Sequence, residues 1–269
     1  MCGRYVNISK IKAVEKRFSA IVERPDLYTP NTNIGIGTLA PIITQERPDV
    51  IKHYHFGFTP YWAKKPFQLF NARSEGDYNK ENDTFYRSIK GITTKPAFRQ
   101  SIRSKRCLVL ADAFIEGPKV ERLSKPYVIY KRDGSPFVFA GIYDTWVNPD
   151  TGEMIDSFAI ITTVSNRITA AISHHRSPVI LQEEDESIWL EPSTPLAEVT
   201  DVLQPYPAEE LNAYPISATI KNPRSNGPEL LKPIGQRIIP EYDYEIYSHL
   251  SLQGMGMTQV RQRKLDFGF

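Results

Sequence analysis

Thiols are nearly absent: 269 residues hold two cysteines, Cys2 and Cys107. Two cysteines build no disulfide framework, and such sparing use fits a reducing compartment. No run of about 18 apolar residues occurs, so the sequence contains no membrane-spanning helix. The first residues also lack the basic-then-apolar pattern of a secretory signal, and a cytoplasmic protein is expected. An excess charge of one sign is missing too. Lys and Arg total 33 against 31 Asp and Glu, a net +2, so affinity for nucleic acid would have to come from a local patch. No Gly/Ser linker, internal repeat or low-complexity block divides the chain. A hydrophobic fraction of 41% over this length suits a folded protein with a sizeable core.

What is present reads as mixed structure. Ser9 is placed to cap a helix whose apolar residues Ile11, Val14, Phe18 and Ile21 share one face, with Pro25 beyond its end. Residues 50–58 alternate with aromatic strand character, and 107–116 ("CLVLADAFIE") read as one largely buried strand. Residues 125–143 predict a hairpin turning at Asp133-Gly134. Another strand is expected over 156–164, then a short helix capped by Ser165 and running to Ile172. A further helix over 194–203 has Thr194 as cap and Pro195 in its first turn. Strands and helices mix without strict βαβ alternation. The expected class is α+β, a single domain around a mainly antiparallel, barrel-like sheet with flanking helices.

Several residues stand out chemically. Cys2 lies directly behind Met1 and is small enough to permit removal of that methionine. Removal would leave an α-amine and a thiol on one residue. The irregular "FNARSE" offers Asn71 as a positioning hydrogen-bonder and Arg73 as a bidentate phosphate ligand, beside Glu75. Glu116 closes an apolar strand, where burial would raise its pKa and fit it for proton transfer. "SHHRSP" places His174, His175 and Arg176 in a loop, and adjacent histidines point different ways, so one at most enters a given site. Lys95, Arg99, Arg103, Lys105 and Arg106 fall in a window without acidic residues. They are either a solvated face or a phosphate track, with Tyr61 and Trp62 available for base stacking. His53 and His55 share one strand face and with His174 could form a three-histidine metal site, but no further ligand lies at suitable spacing.

Taken in order, "MCGRY", "FGFTPYW", "NARSE", "RCLVLADAFIE", "KPYVIY", "FAGIYDTW", "IITTVSN" and "HHRSPVIL" resemble the SRAP family, the SOS response-associated peptidases, from residue 1 to about 225. The resemblance implies a domain over 1–235 with a C-terminal extension over 236–269. It implies covalent crosslinking to abasic sites in single-stranded DNA through a processed N-terminal cysteine, and autocatalytic removal of the methionine before it. By similarity Cys2 is the nucleophile, Asn71 positions it, Arg73 holds phosphate, Glu116 is the acid/base and His174 assists proton transfer. Arg4, Thr163 and Arg176 match positions that resemble DNA-backbone or site-supporting residues, and Trp62 joins the DNA-binding set. No cofactor or metal is implied, and a monomer is expected. Three departures are visible. Gly117 stands where the family commonly has Trp, Asn33-Ile34-Gly35-Ile36 replaces Asn-x-Ala-Pro, and His174-His175-Arg176-Ser177-Pro178 replaces His-x-Arg-Met-Pro.

The chemistry follows from the functional groups. An abasic sugar equilibrates with a ring-opened aldehyde. A free α-amine, pKa about 7.7–8.0, can form an imine with it near neutral pH. The neighbouring thiol, pKa about 8.5 when unperturbed, then adds to the imine carbon and closes a five-membered thiazolidine. Both nucleophiles belong to one residue, so the second addition is intramolecular. Two other readings compete. An N-terminal-nucleophile amidohydrolase would use the same thiol against an amide, although Arg4-Tyr5-Val6 departs from the hydrophobic residue and further glycine usual there. A non-covalent single-strand binder would rely on the basic window and aromatics alone.

Overall fold

The alternation of side chains along each strand divides the apolar residues among three cores. The structure, a computed structural model, describes residues 2–86 and 88–240; most of the expected C-terminal extension lies outside them. The chain opens with β1 (Arg4–Asn7), α1 (Ile11–Phe18), β2 (Ile21–Val22), β3 (Asn31–Gly35), β4 (Leu39–Thr44) and β5 (Arg47–Phe56). It continues through β6 (Asn71–Arg73), α2 (Ser101–Ser104), β7 (Arg106–Ala111), β8 (Ala113–Glu116) and β9 (Tyr127–Lys131). The remainder is β10 (Phe137–Val147), β11 (Met154–Val164), α3 (Arg167–Ala171), β12 (Arg176–Pro178), α4 (Glu183–Leu190), α5 (Leu196–Asp201) and β13 (Leu211–Pro215).

Two sheets result. One runs β13-β9-β8-β1-β3, and the other β12-β11-β10-β7-β4-β5-β2. Parallel pairing of β5 with β11 closes the ring β11-β10-β7-β4-β5 into a barrel. Tyr5, Ile34 and Phe114 from the first sheet meet Phe56, Val109, Phe139, Phe158 and Ile160 from the second in a shared core. The opposite face of β7, with Leu108 and Leu110, packs under the helices with Val14, Trp189 and Val199. The opposite face of the first sheet buries Val6, Ile115 and Val128 beneath Ile220 and Leu231. The α+β, barrel-like, single-domain expectation agrees with this architecture.

Local expectations changed where pairing decides. Residues 107–116 are two strands, not one, because Asp112 breaks the run. β7 joins the barrel while β8 joins the other sheet. The Asp112 carboxylate accepts from Ile8 N at 2.5 Å, Ser9 N at 2.9 Å and Ser9 Oγ at 2.5 Å. Ser9 is therefore spent on Asp112 rather than on capping α1, and α1 ends at Ser19 in the left-handed region instead of reaching Ile21. The expected hairpin at Asp133-Gly134 is a turn between sheets: β9 pairs with β8 and β13, while β10 pairs with β7 and β11. Asn166, not Ser165, caps α3 through a reciprocal bond with Thr169. Pro195 rather than Thr194 occupies the cap of α5.

One edge of β11 serves β5 and then β6, while its other edge serves β10 and then β12. Asn71–Arg73 and Arg176–Pro178 thus flank Ile160–Val164 from opposite sides. Beyond β13, Ile238 N donates to Ala213 O at 2.8 Å and Asn212 Nδ2 donates to Ile239 O at 2.8 Å, so 238–239 pack on the domain.

Candidate functional site

Burial makes Cys2 a constrained residue rather than a loose terminus. It is 1% exposed, belongs to the shared core with Tyr5 and Ile34, and its Sγ lies 3.8 Å from Arg4 O. Burial pushes the thiol well up, and the Glu116 carboxylate adds to that rise. A base is needed to ionise such a thiol.

β6 brings Asn71 alongside. Its Nδ2 donates to Cys2 O at 2.9 Å and to Phe70 O at 2.9 Å, fixing the amide, while its Oδ1 is buried without a hydrogen-bond partner. Glu116, at the end of β8, is 6% exposed, and burial pushes its carboxyl up to about 7. Its Oε2 lies 3.6 Å from His174 Nε2. His174 Nδ1 faces Gly117 O at 2.7 Å. A carbonyl only accepts, so Nδ1 carries the proton and Nε2 presents its lone pair towards Glu116. Burial pulls His174 down to about 4, so the imidazole is neutral across the physiological range. The pair therefore combines a carboxyl poised near neutrality with a neutral imidazole, an arrangement suited to proton transfer.

Gly117 explains how His174 is held. A Cβ there would meet Arg122 O at 1.8 Å and Lys125 O at 2.9 Å, because residues 117–125 fold back on themselves. Lys119 N also donates to Ser173 O at 3.0 Å, and Ser173 has φ 58. A tryptophan in its place would collide with this backbone, so the fold of this loop requires glycine here. Gly117→Ala is expected to lose about 1–3 kcal/mol through overpacking against backbone. Thermal unfolding checks this, and a variant melting with the parent would show that the loop yields freely.

The predicted DNA contacts divide by depth. Arg4 Nη1 donates to Asn33 Oδ1 at 2.6 Å and Nη2 to Lys221 O at 3.0 Å, leaving the guanidinium partly exposed. Arg73 Nη2 donates to Asn79 O at 2.5 Å and Asn82 Oδ1 at 3.1 Å. Trp62 is 47% exposed, its ring edge-on to Phe67 at 6.0 Å. Arg176 and Thr163, by contrast, are buried. Arg176 Nη2 bonds Glu75 Oε2 and Thr162 O, each at 2.8 Å, and Thr163 Oγ1 donates to Glu75 Oε1 at 3.2 Å. Burial works to raise Glu75, but the Arg176 guanidinium overrides it and holds the carboxyl below its usual value. Arg176 Nε and Nη1, Arg73 Nε and His175 Nδ1 are buried without hydrogen-bond partners.

The basic window divides: Arg106 is structural, whereas Arg99 and Arg103 are exposed and Lys95 and Lys105 half-buried. Arg106 is 1% exposed, and its guanidinium donates to Trp189 O at 2.6 Å and Glu191 O at 2.8 Å, satisfying the end of α4. That corrects its reading as a phosphate contact. Lys105 pairs with Asp144 at 2.5 Å and Lys95 with Asp77 at 2.9 Å, while Arg103 donates to Thr93 O at 2.9 Å. The histidine site is not assembled either. His53 packs edge-on to Tyr28, His55 meets Gly37 O at 3.2 Å, and among the described residues no three His, Cys, Asp or Glu side chains form a metal-holding group. Asp112 and the Glu75 partnership were not singled out from sequence; the only trace of Asp112 was an acidic residue inside an otherwise apolar run.

A buried cysteine at the chain's start, an amide gripping its carbonyl and a carboxyl–imidazole pair beside it define a thiol-centred site on an α+β barrel. Residues 1–223 match the model of the SOS response associated peptidase (SRAP) family, and the chain belongs to that family. It is 31% identical over 239 residues to the abasic site processing protein YoqW of Bacillus subtilis, covering 86% of this chain and 99% of that protein. Similarity to the abasic site processing protein HMCES of Xenopus tropicalis is 28% over 245 residues, covering 78% and 68% respectively. A crystal structure of a Bacteroides thetaiotaomicron protein superposes with a TM-score of 0.74 at 29% identity, over 87% of this chain and all of that one.

Proposed function

We propose that this protein processes abasic sites in single-stranded DNA by covalent capture on Cys2. The observation that carries this reading is the clustering of Asn71, Glu116 and His174 around the Cys2 thiol and carbonyl. Hydrolysis of the Met1–Cys2 bond, a self-processing peptidase step, frees the α-amine. That amine adds to the ring-opened sugar aldehyde, the carbinolamine loses water to give an imine, and Sγ adds to the imine carbon. The thiol proton ends on nitrogen, so the net reaction joins Cys2 and the sugar as a thiazolidine with release of one water. Glu116 donates to the departing oxygen, neutral His174 accepts and returns protons, and Asn71 fixes the Cys2 backbone while its Oδ1 is available to the amine. Arg4, Arg73 and Trp62 contact the DNA. Arg176 and Thr163 act from beneath, by holding Glu75.

The test is denaturing electrophoresis of processed protein with abasic single-stranded DNA. A heat-stable shifted band is expected, together with an intact mass lighter by one methionine. Active protein that fully retains Met1 would sink the mechanism. Cys107 is wholly buried on β7, within the shared core. Cys107→Ala is therefore expected to cost roughly 1 kcal/mol of stability and to leave adduct yield unchanged. Loss of the adduct in a folded Cys107→Ala protein would reassign the reactive thiol.

A further inference from the structure

The segment between β6 and the turn at 91–93 is long, irregular and closed at its neck. A Cβ on Gly76 would lie 2.8 Å from Gly91 Cα, and one on Gly91 would lie 2.6 Å from Glu75 O. Two glycines therefore let the loop's ends touch, which is the form of an Ω-loop. Its described residues are also braced from within. Asn79, 3% exposed, donates from Nδ2 to Asp83 O at 2.9 Å and accepts from Asp83 N at 2.7 Å. Tyr86 Oη donates to Ile89 O at 2.9 Å.

This framework presents aromatic rings outward. Phe85 is 83% exposed and Tyr78 is 56% exposed. Lone exposed apolar residues need no explanation, but these two sit on a loop that also grips the candidate phosphate ligand. Arg73 Nη2 is held by Asn79 O and Asn82 Oδ1. The loop rests on the basic segment through Lys95 and Asp77, and Lys80 and Arg99 are exposed nearby in sequence. Exposed rings on a braced backbone, continuous with a guanidinium and interleaved with cations, are the recurring parts of single-strand binding surfaces.

We propose that residues 76–86 form a second DNA-binding arm, which extends the single-strand path past Arg73 by stacking bases on Tyr78 and Phe85. The occupant is single-stranded DNA, because the loop holds the Arg73 guanidinium through Asn79 O and Asn82 Oδ1 and so continues from the candidate phosphate ligand. Stacking rather than charge does the work, since in the sequence Asp77, Glu81 and Asp83 offset Lys80, Arg87 and Lys90. The inference rests on the single-strand reading above, but its test avoids the covalent step.

The experiment is fluorescence anisotropy of labelled, intact oligo-dT of about 5 and about 20 nucleotides, lengths that bracket common single-strand site sizes. Phe85→Ala and Tyr78→Ala should each weaken the long oligomer about 5- to 150-fold, the range for one lost base stack. The short oligomer should stay within about two-fold, and the salt slope should be unchanged. Phe85→Trp should restore long-oligomer affinity. Phe85 is 83% exposed, so Phe85→Ala should leave the melting temperature unmoved, whereas the Tyr78 ring edge lies near Gly91 at the neck and Tyr78→Ala is read beside its thermal unfolding. A double Tyr78→Ala, Phe85→Ala protein that binds the long oligomer like the parent overturns the arm, as does an equal loss at both lengths. Failure of covalent capture alone would show instead as a missing adduct with this length dependence intact.

Discussion

Cys2→Ala protein incubated with abasic single-stranded DNA is expected to give no heat-stable adduct while still binding intact DNA. In protein supplied with residue 2 already N-terminal, alanine keeps the α-amine but removes the sulfur that must add to the imine carbon. The reaction should therefore stop at an imine, which water reverses on heating. Borohydride added before denaturation should trap that imine and restore a shifted band. Cys2→Ser should behave similarly, because a hydroxyl is a far poorer nucleophile towards an imine. Cys2 is buried against Tyr5 and Ile34, so truncation costs some packing, and melting temperature must be read alongside. A folded Cys2→Ala protein with a heat-stable band would end the thiazolidine proposal.

The parts of the site legible in sequence are those whose residue type sits at an informative place. Cys2 behind Met1, Asn71 in an aperiodic polar stretch and Glu116 at the end of an apolar strand are of this kind, and the structure brings them together with His174. Burial was less legible. Arginine is seldom fully buried, so Arg176 and Arg106 read as surface cations, yet one is held by Glu75 and the other by carbonyls ending α4. Strand partners were the least legible element. Hydrophobic alternation is the same whichever strand lies alongside, so the turn at Asp133-Gly134 could be located while its two arms were assigned to one hairpin instead of two sheets. The contact between Gly76 and Gly91 that closes the 76–91 loop leaves no periodic trace at all.

Glu116→Gln is expected to slow adduct formation by about 10²–10⁴-fold, the usual cost of losing a general acid/base. It should also change the pH profile in a definite way. The reaction needs a neutral α-amine, pKa about 7.7–8.0, and a protonated Glu116, whose carboxyl is pushed up to about 7 by burial. The parent rate should therefore peak between those values, near pH 7.5, and fall on both sides. Glutamine does not titrate, so the variant should lose the alkaline fall and rise to a plateau above about pH 8. Stability should move the other way from activity. The folded carboxyl titrates near 7, whereas the unfolded one titrates near 4.3. Between those values the folded protein holds a proton that the unfolded chain has lost, so parental stability falls as pH rises through that window. The neutral amide resembles the protonated acid and escapes this loss. Glu116→Gln should match the parent at pH 4 and exceed it by on the order of 4 kcal/mol at pH 8. Stopped-time adduct assays and thermal unfolding across pH 4–9 give both readouts on the same samples. A variant that keeps the parent's alkaline fall and gains no stability would move the acid/base role away from Glu116.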